Sequence, residues 1–510
     1  MGKILAITKS VCPVCMQVVD ACRLVGMDGN IYIKKRCPEH GIFKTLIWEG
    51  DEASYAAWGA GDKGGAKAGR PLPEAGSKCP QACGLCSEHL NSACCVLLEL
   101  TNRCNLHCPV CFAGAGEEAG ADLSLAEVKA QYALLAERGG DFNIQLSGGE
   151  PTLRDDLPDI IRLGREAGFK FFQLNTNGIR LAEEEDYAKI LKQSGLSTVF
   201  LQFDGFKEAT FLNLRGRMFL PTKLQAIANC QKAGLGVVLV PVIVSELNLD
   251  EVGDLLTFAL KNRPVVRGVH FQPASYFGRY SLTKTAWRMT IPKLLQAMEQ
   301  QTNLKFKAGD FSGGGAESPY CSFHASYLVD ENYNVQVLPQ RRNRCTCTTA
   351  AETRARVAER WSGPAAGDGA AAGCCSGKMG ELEAGCYSGK MGELEAGCCS
   401  GKMDELEAGC CSRKMDETAL VEAASLDDFL QKVHEKIFTV SGMLFQDAYN
   451  LDLERLRRCY VCEADNRRGL VPFCAYNLTD VQGKALYRNN SNLKKEPLDL
   501  PLYDALNLKR

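Results

Sequence analysis

Between residues 96 and 273 the sequence alternates short apolar runs with amphipathic stretches. The clearest amphipathic stretch begins at Ser124, where Glu127 three residues later completes a capping box typical of a helix start. Regular strand–helix alternation predicts parallel strands joined by crossover helices. The pattern favours an α/β fold with a partial (β/α)6 TIM-like barrel, and a doubly wound open sheet is the alternative that periodicity leaves open. The six predicted strands are VLLELT (96–101), FNIQLS (142–147), FFQLNT (171–176), TVFLQFD (198–204), GVVLVPVIV (236–244) and GVHFQP (268–273).

The pattern changes on both sides of this core. Near Ala372 the composition turns to alanine, glycine and cysteine and includes four 12-residue repeats, the first being AGCCSGKMGELE. Such composition does not offset the entropy cost of ordering, so we expect a disordered insertion there. The predicted regions are a metal-binding ribbon (1–50), a linker (51–77), an auxiliary cysteine segment (78–95), the core (96–310), a cluster-associated connection (311–347), the low-complexity repeat insertion (348–425) and a C-terminal auxiliary-cluster region (426–510).

Composition narrows the class of protein. The 510 residues include 59 basic and 61 acidic side chains, and this balance argues against nucleic acid as a partner. The opening MGKILAITKS does not have the length of a signal peptide, and the apolar run 237–244 is shorter than the roughly 20 residues that span a bilayer. We therefore expect a cytoplasmic protein whose 26 cysteines are reduced. Reduced cysteines that occur in triplets indicate metal-binding sites.

The central triplet follows the first predicted strand. Cys104, Cys108 and Cys111 form a C-x3-C-x2-C array. Three thiolates on a cubane iron–sulfur cluster leave one iron open for another ligand, and an open iron indicates chemistry. The alternative is a zinc knuckle, which needs a fourth ligand at fixed spacing.

Polar and glycine residues follow the other predicted strands at their carboxyl ends. In a barrel these ends meet at one face, so they predict one pocket. Asp204 precedes Gly205, and the pair has an alternative interpretation as an ordinary turn. The candidate binding residues are Gly148, Gly149, Glu150, Asn177, Asp204 and Gln272.

Three further cysteine groups flank the core. The array Cys79, Cys83 and Cys86 predicts an auxiliary cluster, with zinc as the alternative, and spacing leaves its fourth ligand open among Cys94, Cys95, His89 and a distant residue. The other two groups are a mononuclear iron or zinc site at Cys12, Cys15, Cys37 and His40, and a C-terminal auxiliary cluster at Cys321, Cys459, Cys462 and Cys474.

The array at Cys104 and the segment GGEP (148–151) resemble the motifs of the radical S-adenosylmethionine (SAM) superfamily. The resemblance implies that the open iron of a [4Fe-4S] cluster chelates SAM and that Gly148, Gly149 and Glu150 hold the methionine amino end. It places Asn177, Asp204 and Gln272 near ribose, adenine or substrate. Reductive cleavage of SAM then yields a 5′-deoxyadenosyl radical that takes hydrogen from an unactivated carbon. An electron donor such as ferredoxin or flavodoxin is implied as a partner.

The order of all four cysteine groups is similar to that of the tetraether lipid synthase family and its relatives assigned as pterin-methylating enzymes. This resemblance implies several clusters, a mononuclear iron, and radical coupling of lipid chains with transient membrane-surface contact. Radical C-methylation of a small heterocycle such as a reduced pterin is the alternative. The repeat insertion and the ribbon histidine depart from the family pattern. A non-catalytic zinc-ribbon scaffold is a third hypothesis, and the lack of basic–aromatic clusters argues against it.

Overall fold

The computed structural model describes residues 2–60, 79–83, 89–116, 121–137, 142–280, 288–315, 317–339, 350–362, 435–465 and 468–488. Cys86 and most of the predicted repeat insertion lie outside the described residues. Among the helices that the structure describes, none is long and apolar enough to cross a membrane.

The N-terminal ribbon is a four-stranded antiparallel sheet in sequence order. Inward positions alternate along the third strand, where Ile31, Ile33 and Cys37 are buried between more exposed residues. The strand includes residues 31–36 of the stretch GNIYIKKR (29–36), which the sequence suggests is extended. The four strands are β1 (Ile4–Val11), β2 (Val18–Val25), β3 (Ile31–Cys37) and β4 (Gly41–Trp48).

A short helix, α1 (Glu52–Gly59), follows the ribbon within the segment for which a linker is expected. The Asp51 side chain caps the helix by accepting from the Ser54 N–H at 2.8 Å. Tyr55 stacks on Tyr320 with ring centroids 4.2 Å apart, and this apolar contact stabilises α1. The first residues of the predicted linker therefore form a helix.

The core sheet contains the six predicted strands as a parallel array in sequence order, β5-β7-β8-β9-β10-β12. A doubly wound sheet would reverse its strand order at a switch point, and this one does not, so the barrel-type prediction is confirmed. The strands of this part of the chain are β5 (Cys95–Thr101), β6 (Val110–Cys111), β7 (Asn143–Gly148), β8 (Phe172–Thr176), β9 (Thr198–Gln202), β10 (Gly236–Val240), β11 (Val242–Ile243), β12 (Val266–Pro273) and β13 (Arg279–Tyr280).

Helices follow the core strands, and one face of the sheet packs against them. Ile144, Phe172 and Val199 belong to this buried core. The predicted capping box is present, because the Ser124 N–H donates to Glu127 Oε2 at 2.8 Å. The helices are α2 (Leu125–Glu137), α3 (Leu157–Glu166), α4 (Ile179–Glu183), α5 (Tyr187–Gln193), α6 (Glu208–Arg215), α7 (Leu220–Lys232), α8 (Val252–Lys261) and α9 (Ile291–Gln301).

The C-terminal part of the chain extends the core sheet at both edges. A strand beginning at Ile437 pairs in parallel with β12, and another beginning at Val461 pairs in parallel with β5. The sheet is thus longer than the six predicted strands. The additional elements are β14 (Ser322–Val329), β15 (Val335–Val337), α10 (Ala350–Trp361), β16 (Ile437–Met443), α11 (Leu453–Leu456), β17 (Val461–Asp465), β18 (Gly469–Pro472) and α12 (Phe473–Tyr476).

Helix α10 falls inside the region 348–425, for which an unstructured insertion is expected. Trp361, at its end, packs on Phe200 of β9 and His270 of β12 with centroid distances of 4.9 and 5.9 Å. The Arg354 carbonyl also accepts from Asn143 Nδ2 at 3.3 Å. This aromatic contact packs α10 on the core sheet, so residues 350–361 of the region predicted as an insertion form a helix.

Candidate active site and metal centres

The central cysteine triplet lies in the loop after β5. Cys108 is buried, Cys104 and Cys111 are half-buried, and the apolar side chains of Ile179 and Phe211 pack beside them. Burial raises the pKa of Cys104 to about 11, and neighbouring negative groups add to the effect. The Cys104 sulfur therefore holds its proton unless a metal takes the place of that proton.

The spacing of these three thiols fits a polynuclear cluster. A single tetrahedral metal needs ligand atoms packed closely around it, and the three sulfur atoms of Cys104, Cys108 and Cys111 do not form such a close group. In a cubane each thiolate binds a different iron, so its ligands lie farther apart. This arrangement argues against the zinc knuckle.

Arg279, on β13, binds two backbone carbonyls of the cysteine loop. Its Nε donates to the Cys108 carbonyl at 2.8 Å and its Nη2 donates to the Ala115 carbonyl at 3.2 Å. Strand β13 pairs with β6, which brings Gly278 so close that a Cβ there would lie 2.4 Å from the Phe112 carbonyl oxygen. Sequence reasoning missed Arg279 because its partners lie more than 160 residues away.

The paired glycines after β7 approach the backbone of the cysteine loop. A Cβ on Gly148 would lie 2.3 Å from the Thr101 carbonyl oxygen, and one on Gly149 would lie 2.1 Å from that of Arg103. The Gly149 N–H donates to the Thr101 carbonyl at 2.7 Å. Only residues without a side chain allow so close an approach, and the partner of these glycines is the backbone of the cysteine loop.

Glu150 is buried and its carboxylate has four donors within the protein. Oε1 accepts from the Thr152 N–H at 3.1 Å and from the Thr152 and Thr176 hydroxyls at 2.7 Å each. Oε2 accepts from the Asn177 N–H at 2.7 Å. This network fixes the carboxylate beside the cysteine loop. Its contact with the methionine amino group stays a prediction.

Asn177 links the end of β8 to the cysteine loop. Its Nδ2 donates to Asn105 Oδ1 at 2.7 Å, and its Oδ1 accepts from the Ile179 N–H at 2.9 Å. The buried Lys223 ammonium donates to the Asn177 carbonyl, and burial lowers the pKa of this lysine to about 8. Gln272 is half-buried at the end of β12, and its side chain makes no hydrogen bond with the part of the chain that the structure describes.

Asp204 is buried at the end of β9 and pairs with Arg215 of α6. Both carboxylate oxygens accept from the guanidinium at 2.7 Å, and Oδ1 also accepts from the Val242 N–H at 2.9 Å. The guanidinium also donates through Nη1 to the Val110 carbonyl at 3.3 Å, within the cysteine loop. The sequence gives no local signal for Arg215. The predicted contact of Asp204 with cofactor or substrate stays a prediction.

The ribbon brings Cys12, Cys15, Cys37 and His40 into one compact group. The sulfur atoms of Cys15 and Cys37 are 3.8 Å apart, and His40 Nδ1 is 3.4 Å from the Cys37 sulfur and 3.7 Å from the Cys12 sulfur. Tetrahedral bonds of about 2.3 Å to sulfur and about 2.0 Å to nitrogen require separations of about 3.8 and 3.5 Å. The four residues therefore fit a mononuclear tetrahedral metal, and both zinc and iron accept this donor set.

The C-terminal cysteines lie near one another. Burial raises the pKa values of Cys459, Cys462 and Cys474, and neighbouring thiols add to the rise: Cys321 acts on Cys459, Cys459 acts on Cys462, and Cys459 and Cys321 act on Cys474. Cys462, on β17, also packs in the main core. His89 Nε2 lies 2.6 Å from the Cys459 carbonyl oxygen, which directs one of its two ring nitrogens away from any metal.

Two thiols of the second array lie in the same apolar cluster as Cys474. Cys79 and Cys83 are buried there beside Tyr487, whose hydroxyl accepts from the Cys83 N–H at 2.9 Å. The third member of this array, Cys86, lies outside the described residues.

Comparisons with known proteins match the region that contains the cysteine loop. The Radical SAM superfamily model matches residues 98–259, which span the loop, the glycine pair and five of the core strands. A solved structure of SuiB from Streptococcus suis bound to S-adenosylmethionine aligns over 42% of this chain and 48% of its own, with 18% identity and a TM-score of 0.34. The chain is a radical SAM enzyme, with a [4Fe-4S] cluster and SAM as its cofactors.

The flanking regions extend this match. The model of the HMPTM N-terminal zinc ribbon domain matches residues 4–49. The chain is 34% identical over 497 residues to 7,8-dihydro-6-hydroxymethylpterin dimethyltransferase of Methanocaldococcus jannaschii, covering 92% of this chain and 93% of that protein. It is also 38% identical over 145 residues to Fe-coproporphyrin III synthase of Methanosarcina barkeri, covering 28% and 35% of the two chains. The chain belongs to the family of the dihydropterin dimethyltransferase.

Proposed function

We propose that this enzyme is a radical C-methyltransferase of a reduced pterin or a closely similar heterocycle. The observation that carries the proposal is the 34% identity to the dihydropterin dimethyltransferase, which extends over nearly all of both chains. Similarity confined to the core would support only SAM cleavage, because the core is common to the superfamily. The matched ribbon adds support, since it lies outside the core.

The residues around the cysteine loop have distinct roles in this proposal. Cluster and SAM, when bound, supply the 5′-deoxyadenosyl radical that takes a hydrogen atom from the substrate. Cys104, Cys108 and Cys111 hold the cluster, and Gly148 and Gly149 bring the β7 turn against their loop. Apolar packing beside these thiols keeps water from the reactive site.

We propose two auxiliary clusters in the same chain. Cys321, Cys459 and Cys474 are candidate ligands of one, supported by the effect of Cys321 on the pKa of Cys459 and of both on the pKa of Cys474. Cys79 and Cys83, together with Cys86, are candidates for the other. Cys462 is a weaker candidate than sequence reasoning suggests, because it packs in the main core. Iron and sulfide analysis tests this: Cys459→Ser should lower both, whereas Cys462→Ser should not.

A ferredoxin or flavodoxin is the proposed electron donor, and cytoplasm is the proposed location. Radical coupling of lipid chains, expected from the cysteine groups, stays a prediction. A dihydropterin is a compact substrate and a lipid chain is a long one, so the two hypotheses can be separated by their products.

The test incubates reduced, anaerobic enzyme with SAM and either 7,8-dihydro-6-hydroxymethylpterin or an archaeal-type lipid. Methylation predicts 5′-deoxyadenosine together with S-adenosylhomocysteine and a methylated pterin. Pterin-independent formation of 5′-deoxyadenosine without S-adenosylhomocysteine, accompanied by coupled lipid, would contradict the proposal. Cys22→Ser is the matched control for the cysteine substitutions at the proposed clusters, because this cysteine lies on β2 outside the metal-binding group.

A further inference from the structure

A buried positive charge lies beside the loop that carries the three cluster cysteines. Arg215 is only 5% exposed, and its guanidinium Nη1 donates to the Val110 carbonyl at 3.3 Å, next to Cys111. Burial raises the pKa of Cys108, and the Arg215 charge offsets part of that rise.

Asp204 and Gln202 fix the guanidinium in this position. Asp204 accepts from Nε and Nη2 in a bidentate pair, which is a geometry specific to arginine. The Gln202 side-chain oxygen, in the orientation that satisfies both of its amide atoms, accepts from Nη1 at 2.8 Å. The Val242 N–H holds the carboxylate of Asp204 in turn. These contacts hold the guanidinium in one position, with its charge beside the cysteine loop.

A structural role alone does not account well for this choice of residues. Two buried charges lose their hydration, and an apolar pair of similar volume is often as stable or more stable. The chain instead places a cation where a cluster gains one electron on reduction. Positive charge and hydrogen bonds to cluster sulfur stabilise the reduced state and raise its potential.

We propose that Arg215, positioned by Asp204, raises the reduction potential of the cluster held by Cys104, Cys108 and Cys111. Both are positioning residues, because Arg215 acts on a cluster ligand and Asp204 acts through Arg215. The proposal goes beyond the methyltransferase function and holds for any substrate, since it concerns only the one-electron reduction that precedes SAM cleavage.

The two residues should shift the potential in opposite directions. Asp204→Asn leaves the guanidinium without its counter-charge, so the cluster should become easier to reduce. The double variant Asp204→Asn/Arg215→Gln removes both charges, and we expect its ratio of reduced to oxidised cluster at a fixed potential to fall about tenfold, which is about 59 mV for one electron. Arg215→Lys keeps the charge and should stay close to the wild-type value.

The measurement is an EPR-monitored redox titration of the reconstituted full chain. The cluster of interest is the one whose signal changes when SAM is added, which separates it from auxiliary clusters. Arg217→Gln is the matched control, because it removes the same charge from an exposed residue that packs on Phe219, and it should leave the potential unchanged. Iron and sulfide content is measured for every variant.

Opposite shifts in Asp204→Asn and the double variant would support the proposal. An unchanged potential in the double variant would overturn it. So would loss of cluster from both variants with an unchanged potential in the fraction that retains it, because that result means a structural role alone.

Discussion

Gly149→Ala is expected to detach the cysteine loop from the sheet. The added Cβ would lie 2.1 Å from the Arg103 carbonyl oxygen and 2.8 Å from its carbon, whereas ordinary contact begins at 3.4 Å. Backbone cannot turn aside as a flexible side chain can, so the loop has to move by about 1 Å, and overpacking of this kind costs about 1–3 kcal/mol.

The same displacement strains two hydrogen bonds. The Gly149 N–H donates to the Thr101 carbonyl at 2.7 Å, and the Glu150 N–H donates to the Arg103 carbonyl at 2.9 Å. At about 1 kcal/mol each, their loss brings the total to about 3–5 kcal/mol. Because the strain is local, we expect the loop to open while the rest of the fold persists.

The assay is iron and sulfide content per chain after anaerobic reconstitution, together with the SAM-induced change in the EPR spectrum. Gly149→Ala should lose the SAM-dependent signal and keep the ribbon metal. Gly309→Ala is the control, because a Cβ at Gly309 meets no atom within 4 Å and that glycine has no positive φ. Wild-type iron, sulfide and SAM-dependent signal in Gly149→Ala would refute the packing argument.

Three other expectations follow from the described residues. Cys37→Ser should release the ribbon metal while Cys22→Ser retains it, and equal metal content by elemental analysis in the two variants would count against the tetrahedral site. Trp361→Ala removes the aromatic contacts of α10 and should cost roughly 2 kcal/mol, less than the about 3–5 kcal/mol of a fully buried tryptophan because Trp361 is half-buried. The loss should appear as faster hydrogen exchange in residues 350–361, and unchanged exchange would contradict the packing. Burial lowers the pKa of His270 from 6.5 to about 4, so the unfolded state binds more protons between these pH values and the free energy of unfolding should fall as pH drops through them. His324 has the same shift and should contribute in the same way. His270→Asn removes one of the two contributions, so its denaturant midpoint should decline less steeply as pH drops. An identical decline in the variant and the wild type would show that His270 is not buried in its neutral form.

Much of the core could be predicted because its signals are local. Each of the six apolar runs coincides with a strand, and the capping box at Ser124 marks a helix start. Strands β16 and β17 gave no comparable signal, since their pairing with β12 and β5 is set by tertiary contact between distant segments. Helix α10 was not predicted for a related reason. Its alanine-rich composition continues into the repeats, and only Trp361 distinguishes its sequence from theirs.

The site shows the same division. The cysteine array and the glycine pair are short motifs whose chemistry can be interpreted from spacing, and the ribbon quartet has the geometry that its spacing predicts. Arg215 could not be found in this way, because an arginine in the last turn of a helix is common for electrostatic reasons. Its contacts become visible only when folding brings α6 against Asp204 and the cysteine loop.

The most direct test of the central claim is formation of 5′-deoxyadenosine by anaerobically purified, reduced enzyme supplied with SAM. We expect the wild-type chain to contain iron and sulfide and to release 5′-deoxyadenosine, and we expect Cys108→Ala to release none while its ribbon metal remains. Zinc without sulfide in the wild-type chain, or equal release of 5′-deoxyadenosine by Cys108→Ala, would contradict SAM cleavage at the cluster of Cys104, Cys108 and Cys111.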